Sequence, residues 1–166
     1  MTVRVTGPES SGKSTLAQTL AWCLDGTYVA EQARAYLHAL ARPYTEADLA
    51  LIWQAQQRAE TAARQSGASY VICDTGPEVL QIWSEVKYGR CAATLSSQTA
   101  TRSYDLTLLC APDLAWTYDP LREHPNEADR WTLHARYRSL LPGALGITGA
   151  DRVQQALSAI QDTSLH

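Results

Sequence analysis

Residues Gly7 to Ser14 read GPESSGKS and satisfy G-x-x-x-x-G-K-[ST] at every fixed position. Each residue type has a task at that spacing. Gly7 and Gly12 let the main chain curl until successive N–H groups point inward at phosphate oxygens. A helix starting near Lys13 turns its positive end to the same point. Lys13 can reach the β and γ phosphates, and the Ser14 hydroxyl can hold Mg²⁺. Glu9, Ser10, Ser11 and Thr15 complete the expected nucleotide-contacting set. The fixed positions coincide by chance in on the order of one random chain in a hundred. The strand-like run before the motif and the amphipathic run after it make chance a poorer account still. Lysine is also scarce, Lys13 and Lys87 against twelve arginines, so Lys13 is no by-product of composition.

Gripping a triphosphate does not name an activity, and three classes compete. A GTP switch needs a guanine-reading NKxD, which the chain lacks; ATP is the expected nucleotide, with Mg²⁺. An ATP-driven motor or AAA-type machine usually needs more chain and a subunit interface. A small-molecule kinase needs a phosphate loop, an acceptor pocket and an arginine-bearing lid, and this length accommodates those. The expected lid is 112–130, a stretch rich in proline and charge that carries Asp119, Arg122 and Arg130. Arginines brought in by closure neutralise charge developing on a transferred phosphoryl group while water is shut out.

Acids complete the expected catalytic half. Ligands of open parallel sheets bind beyond the carboxyl ends of the strands. Glu31 closes the second strand-like run and Asp74 the third, so both face the phosphate loop. One deprotonates the acceptor hydroxyl and one positions Mg²⁺ or its waters; capping of the following helix is the rival role for Asp74. Trp83, Tyr88, Trp116 and Tyr118 gather around the third helical run and the lid. Stacking and cation–π attraction between such rings would hold a flat, especially a cationic, ring.

The elements that must position these residues alternate in type. Strands are expected at 2–6, 27–31, 69–74, 105–110 and 144–148. Helices are expected at 13–24, from Thr45 to about Arg64, near 77–88, around 92–102, at 133–141 and at 150–160. Thr45 with Asp48 three residues on resembles a capping box. Alternating strands and helices predict an α/β protein of the P-loop nucleoside- and nucleotide-kinase type: one domain, with a five-stranded parallel sheet between helices. The net charge of −3 argues against coating nucleic acid or an anionic membrane, and no apolar run nears the ~18 residues of a membrane span. Cys23, Cys73, Cys91 and Cys110 form no CxxC pair, and Cys73 and Cys110 sit in apolar runs as small buried hydrophobes. The expected compartment is the cytoplasm, and the expected partner a small-molecule substrate.

Beyond the phosphate loop, EQARAY (31–36), DLxxIxxxQxxxE (48–60), CDT (73–75), WSEVKYG (83–89), YDLTLL (104–109) and PDLAWTYDPLR (112–122) follow in order. Together they resemble the nicotinamide riboside kinase domain of the NadR type over nearly the whole chain. The resemblance implies ATP-dependent phosphorylation of the ribose 5′-hydroxyl of nicotinamide riboside, giving nicotinamide mononucleotide for NAD salvage. Carried over by position, Gly12, Lys13, Ser14 and Thr15 would hold ATP and Mg²⁺. Glu31, Arg34 and Asp74 would frame the acceptor hydroxyl and metal. Trp83, Tyr88 and Trp116 would hold the nicotinamide riboside, with Asp119, Arg122 and Arg130 in the closing flap. Two departures stand out. The chain starts at the first kinase strand, so the adenylyltransferase and DNA-binding functions of longer NadR proteins are not expected. Position 76 is Gly where a second acid is expected after the DT pair. The alternatives are a kinase for another nucleoside or nucleotide, thymidylate-kinase-like, and a regulatory ATPase.

Overall fold

A computed structural model describes residues 1–165. Five strands, β1 (Thr2–Thr6), β2 (Thr27–Val29), β3 (Val71–Asp74), β4 (Leu106–Cys110) and β5 (Leu145–Ile147), form one parallel sheet in the order β2-β3-β1-β4-β5. The helices are α1 (Lys13–Cys23), α2 (Gln32–Ala39), α3 (Glu46–Gln65), α4 (Pro77–Tyr88), α5 (Ala93–Thr101), α6 (Glu127–Leu140) and α7 (Arg152–Ser164). β1 sends the chain toward one edge of the sheet and its neighbour β4 sends it toward the other. The crevice of such a switch point opens beyond their carboxyl ends, and there the phosphate loop begins.

Alternation along the strands feeds two cores. Val3, Val5, Ile72 and Leu108 turn to one face, where Leu16 and Leu20 of α1 and Ala156 and Ile160 of α7 cover them. On the other face Leu109 meets Val79 and Ile82 of α4 and Tyr137 of α6. A third cluster locks α2, α3, α4 and α5 together through Ala33, Ile52, Trp53, Leu80 and Leu95. Burying side chains of this size contributes about 1.5–3 kcal/mol each, which seats the elements around the crevice. Cys73 and Cys110 are fully buried as expected, and burial pushes the Cys110 thiol up to about 11.

Two of the differences from expectation bear on the site. β2 stops at Val29, and Glu31 caps α2, a helix not anticipated. α6 begins at Glu127, six residues early, because the Asn126 side chain accepts from the Ala128 amide at 2.9 Å and Glu127 and Asp129 fill the first turn. The irregular segment after β4 therefore covers 111–126, and Arg130 belongs to a helix rather than to a loop. The capping box holds: Asp48 Oδ2 accepts from the Thr45 amide at 2.6 Å at the start of α3.

Candidate active site

The loop from Gly7 to Ser14 joins β1 to α1. Gly7 has φ +144°, and a Cβ there would lie 2.6 Å from the Cys110 carbonyl oxygen, so only glycine lets the loop leave the sheet along this path. Ser10 and Gly12 both take the left-handed conformation, and Gly12 caps α1, so the helix presents its open amides to the loop's interior. Lys13 is the first residue of α1, and its Nζ lies 3.5 Å from the Pro8 carbonyl, folded over the loop. The hydroxyls of Thr6 and Ser11 are buried with no partner among the described residues. A curled main chain, a helix start, an ammonium and unpartnered hydroxyls together fit a phosphate group.

Asp74 ends β3 and is 1% exposed. Its Oδ2 accepts from the Tyr28 hydroxyl at 3.1 Å, while Oδ1 is buried with no partner among the described residues. Burial, then the Asp74 charge, pushes the Tyr28 hydroxyl up to about 12, so it stays a donor. Thr75, next along, has φ +74°, an unusual conformation for a β-branched residue that costs about 1–3 kcal/mol and is found at functional sites. No group of three or more His, Cys, Asp or Glu suited to a metal occurs among the described residues. The Ser14 hydroxyl and the spare Asp74 oxygen fit Mg²⁺, which draws most of its oxygen ligands from phosphates and water. At position 76 a Cβ would lie 2.6 Å from Glu78 Oε2 and 2.8 Å from Arg4 Cδ, so the buried Arg4–Glu78 ion pair occupies the space a second acid would need.

A cavity of about 400 Å³ opens from the phosphate loop. Lys13, Ser14, Glu31 and Arg34 are among its polar lining, and Leu37, Tyr44, Ile82 and Trp83 among its apolar and aromatic lining. Burial, opposed by Lys13 and reinforced by Asp74, pushes the Glu31 carboxyl above the ordinary glutamate value. The Tyr44 and Trp83 rings lie 6.3 Å apart between centroids and tilted by 39°, and the Lys87 ammonium sits 3.3 Å from the centre of the Tyr44 ring. Burial, then the Glu123 carboxylate, pushes the Tyr44 hydroxyl up to about 12.

Residues 120–124 of the irregular segment form another wall, and the Arg122 guanidinium, which lines the cavity, donates to the Thr117 carbonyl. Asp119 stands outside the lining and pairs with Arg34 at 2.9 Å. The remaining expected residues fall elsewhere. Arg130 is buried on α6, donating to the Leu114 carbonyl at 3.2 Å with its Nε unpartnered among the described residues. Trp116 packs edge-on against Tyr118 at 6.2 Å and, like Tyr118, does not line the cavity. Tyr88 stands behind it, its hydroxyl 3.4 Å from the Tyr44 carbonyl. Thr15 is exposed on α1, its carbonyl accepting from Thr19, and is not part of the lining. Tyr44, Lys87 and Arg42 join the lining unanticipated; the Pro43–Tyr44 break before α3 was the one local signal for Tyr44.

A phosphate loop at the switch point of a five-stranded parallel sheet defines a P-loop nucleotide-binding protein. The chain belongs to the AAA domain family, matching it over residues 2–148. Among solved structures, NadR in complex with NR (nicotinamide riboside) superposes with a TM-score of 0.81 at 22% identity, covering 98% of this chain and 51% of that one. NadR in complex with NAD and AMP-PNP gives 0.73 at 22% identity, covering 98% and 49%. Thymidylate kinase from Ehrlichia chaffeensis gives 0.63 at 14% identity, covering 97% and 98%. The chain spans about half the length of the NadR chains, and at these identities the likeness is one of fold. A search of curated proteins finds no match.

Proposed function

We propose that this chain is a single kinase domain that transfers the γ-phosphoryl group of ATP to the 5′-hydroxyl of nicotinamide riboside, yielding nicotinamide mononucleotide. The observation that carries the reading is one cavity whose lining brings two chemically distinct sets of side chains together. Lys13, Ser14, Glu31 and Arg34 sit where phosphate and hydroxyl would meet, and the Tyr44 and Trp83 rings sit where a flat cationic ring would rest. The NadR complex with NR, of the same fold, supports that acceptor.

The phosphate loop and Lys13 orient the triphosphate, and Mg²⁺, held by Ser14 and reached by Asp74, would neutralise its charge. Glu31 takes the hydroxyl proton. It lines the cavity, and its raised proton affinity suits a base better than an ordinary glutamate's would. Arg34 and Arg122 line the same cavity and would neutralise charge on the transferred group, and the 111–126 segment acts as the lid that keeps water out. Arg130 supports that lid from beneath through Leu114. Four unpaired cysteines suit a reducing compartment, which supports a cytoplasmic location. No helix among the described residues is long and apolar enough to cross a membrane.

The AAA family match favours a second reading, a regulatory ATPase that answers to a protein. One assay separates the readings: release of ADP from ATP with nicotinamide riboside, thymidine, thymidine monophosphate or no acceptor. Turnover that rises steeply with nicotinamide riboside and yields a phosphorylated product is expected. Turnover with a thymidine compound alone reassigns the acceptor; turnover indifferent to any of them supports the regulatory ATPase.

A further inference from the structure

Glu9 occupies the third position of the phosphate loop, where contact with nucleotide is expected, yet its carboxylate turns toward the irregular segment. One oxygen accepts from the Glu123 amide at 3.0 Å and the other from the His124 amide. Beside it, Ser10 Oγ accepts from the Thr117 amide at 3.2 Å. Across the cavity, Arg34 of α2 pairs with Asp119 at 2.9 Å, and Asp119 Oδ1 accepts from the Leu121 amide at 2.9 Å. Residues 117–124 are thus pinned at both ends to the loop expected to grip phosphate, through Thr117 and through Glu123 and His124, and between them to the helix bearing Arg34, through Asp119. Pro120 to His124 of this stretch wall the cavity.

This wiring makes sense of a carboxylate in an anion site. Left unpaired, Glu9 would repel phosphate; turned to residues 123 and 124, which wall the same cavity, it places its charge on two main-chain amides in charge-assisted bonds about twice as strong as neutral ones. We infer that Glu9 is a positioning residue that couples the phosphate loop to the acceptor wall, so that order imposed on residues 7–14 by nucleotide is passed to residues 123–124. The inference rests on the kinase reading for its acceptor, but the latch itself is a property of the fold. Coupling of this kind is reciprocal: nucleotide tightens acceptor binding by the factor by which acceptor tightens nucleotide.

The test uses the full chain with adenylyl imidodiphosphate as the nucleotide probe and nicotinamide riboside as the acceptor probe. In the unaltered protein the nucleotide probe should lower the acceptor's Kd by about fivefold or more. Glu9→Ala should remove that coupling, so that the nucleotide probe no longer lowers the acceptor's Kd and, by the same reciprocity, the acceptor no longer lowers the Kd of the nucleotide probe. Amide hydrogen exchange at residues 123 and 124, with the nucleotide probe bound, should quicken in Glu9→Ala. Glu9→Gln keeps the reach but offers a single acceptor oxygen, its NH₂ group facing the other amide, and should fall between the two. Unchanged exchange at 123 and 124 in Glu9→Ala overturns the latch. So does an acceptor Kd that the nucleotide probe still lowers by about fivefold in Glu9→Ala, or one indifferent to nucleotide in the unaltered protein. Should the unaltered protein bind no nicotinamide riboside, the acceptor reading fails separately, and the exchange measurement still decides for or against the latch.

Discussion

Lys87 gives the sharpest test of a cationic acceptor. Its ammonium stands 3.3 Å from the centre of the Tyr44 ring, on an exposed side chain in the last turn of α4. A pyridinium ring laid on the same face must displace that ammonium and then tolerate it nearby. Giving up an exposed cation–π contact costs about 0.5–1 kcal/mol. Two unit charges about 5 Å apart in water repel by about 0.8 kcal/mol. Removing the charge with Lys87→Gln, which keeps the length and the helix, should lower the KM for nicotinamide riboside by between about twofold and twentyfold. The kcat should hold, since the contact is not particular to the transition state. Thymidine, which is neutral, escapes the repulsion and should gain less. The readout is ADP release coupled to NADH oxidation, at low and high salt, and the gain should shrink as salt screens the charges. A KM for nicotinamide riboside that stays put or rises in Lys87→Gln would refute the argument, since Lys87 would then be aiding the acceptor rather than competing with it.

Glu31→Gln should lower kcat by about 10²- to 10⁴-fold with little change in the KM for ATP. Glu31 acts as base only when ionised and its proton affinity is raised, so in the unaltered protein kcat/KM should fall with acidification along a limb centred above the ordinary glutamate value of 4.5, and Glu31→Gln should flatten it. Trp83→Leu should raise the acceptor KM by about 3- to 30-fold through loss of the ring face. Trp116→Ala, expected from sequence to do the same, should leave it within about twofold, because Trp116 stands outside the cavity. Asp48→Asn should lower the urea midpoint near neutral pH. The Arg42 guanidinium, then the Thr45 amide and Tyr36 hydroxyl, hold the Asp48 carboxyl well below the usual range, so its contribution is present above the ordinary aspartate value of 3.8 and lost as pH falls below it. Urea curves at several pH values should show the gap between variant and parent closing in acid.

The sheet and the phosphate loop were legible because local pattern decides them: buried strands are short apolar runs, and the loop's chemistry is fixed by its own spacing. The start of α6 was missed, although Asn126 followed by Glu127 and Asp129 is a cap with its acids, because the charges read equally well as a loop. α2 was harder, eight residues with a weak apolar face at Ala33, Tyr36 and Leu37 directly after a strand. The acceptor cavity was half legible. Trp83 was anticipated and Tyr44 was not, because Tyr44 reaches Trp83 only when the turn before α3 folds over α4, a juxtaposition of distant residues that no periodicity encodes.

The two acids illustrate how one end of a sheet can separate two tasks. Both sit at or past strand ends, and sequence reasoning puts Asp74 first as base with Glu31 as the alternative. The surroundings favour the reverse. Asp74 is sealed under the sheet's edge, one oxygen committed to a Tyr28 hydroxyl that keeps its proton, the other buried with no donor among the described residues. A carboxylate so placed suits the proposed charge-stabilising role better than the proposed proton transfer. Glu31 lies on the cavity wall as the cap of α2, open to whatever enters, and burial raises its affinity for a proton while Lys13 restrains the rise. Pairs of acids whose environments push them toward different roles are how a site assigns charge stabilisation and proton transfer without confusing them. The helix that sequence analysis overlooked is thus the element that makes the assignment, since α2 carries Glu31 on its cap and Arg34 on its first turn into the same cavity.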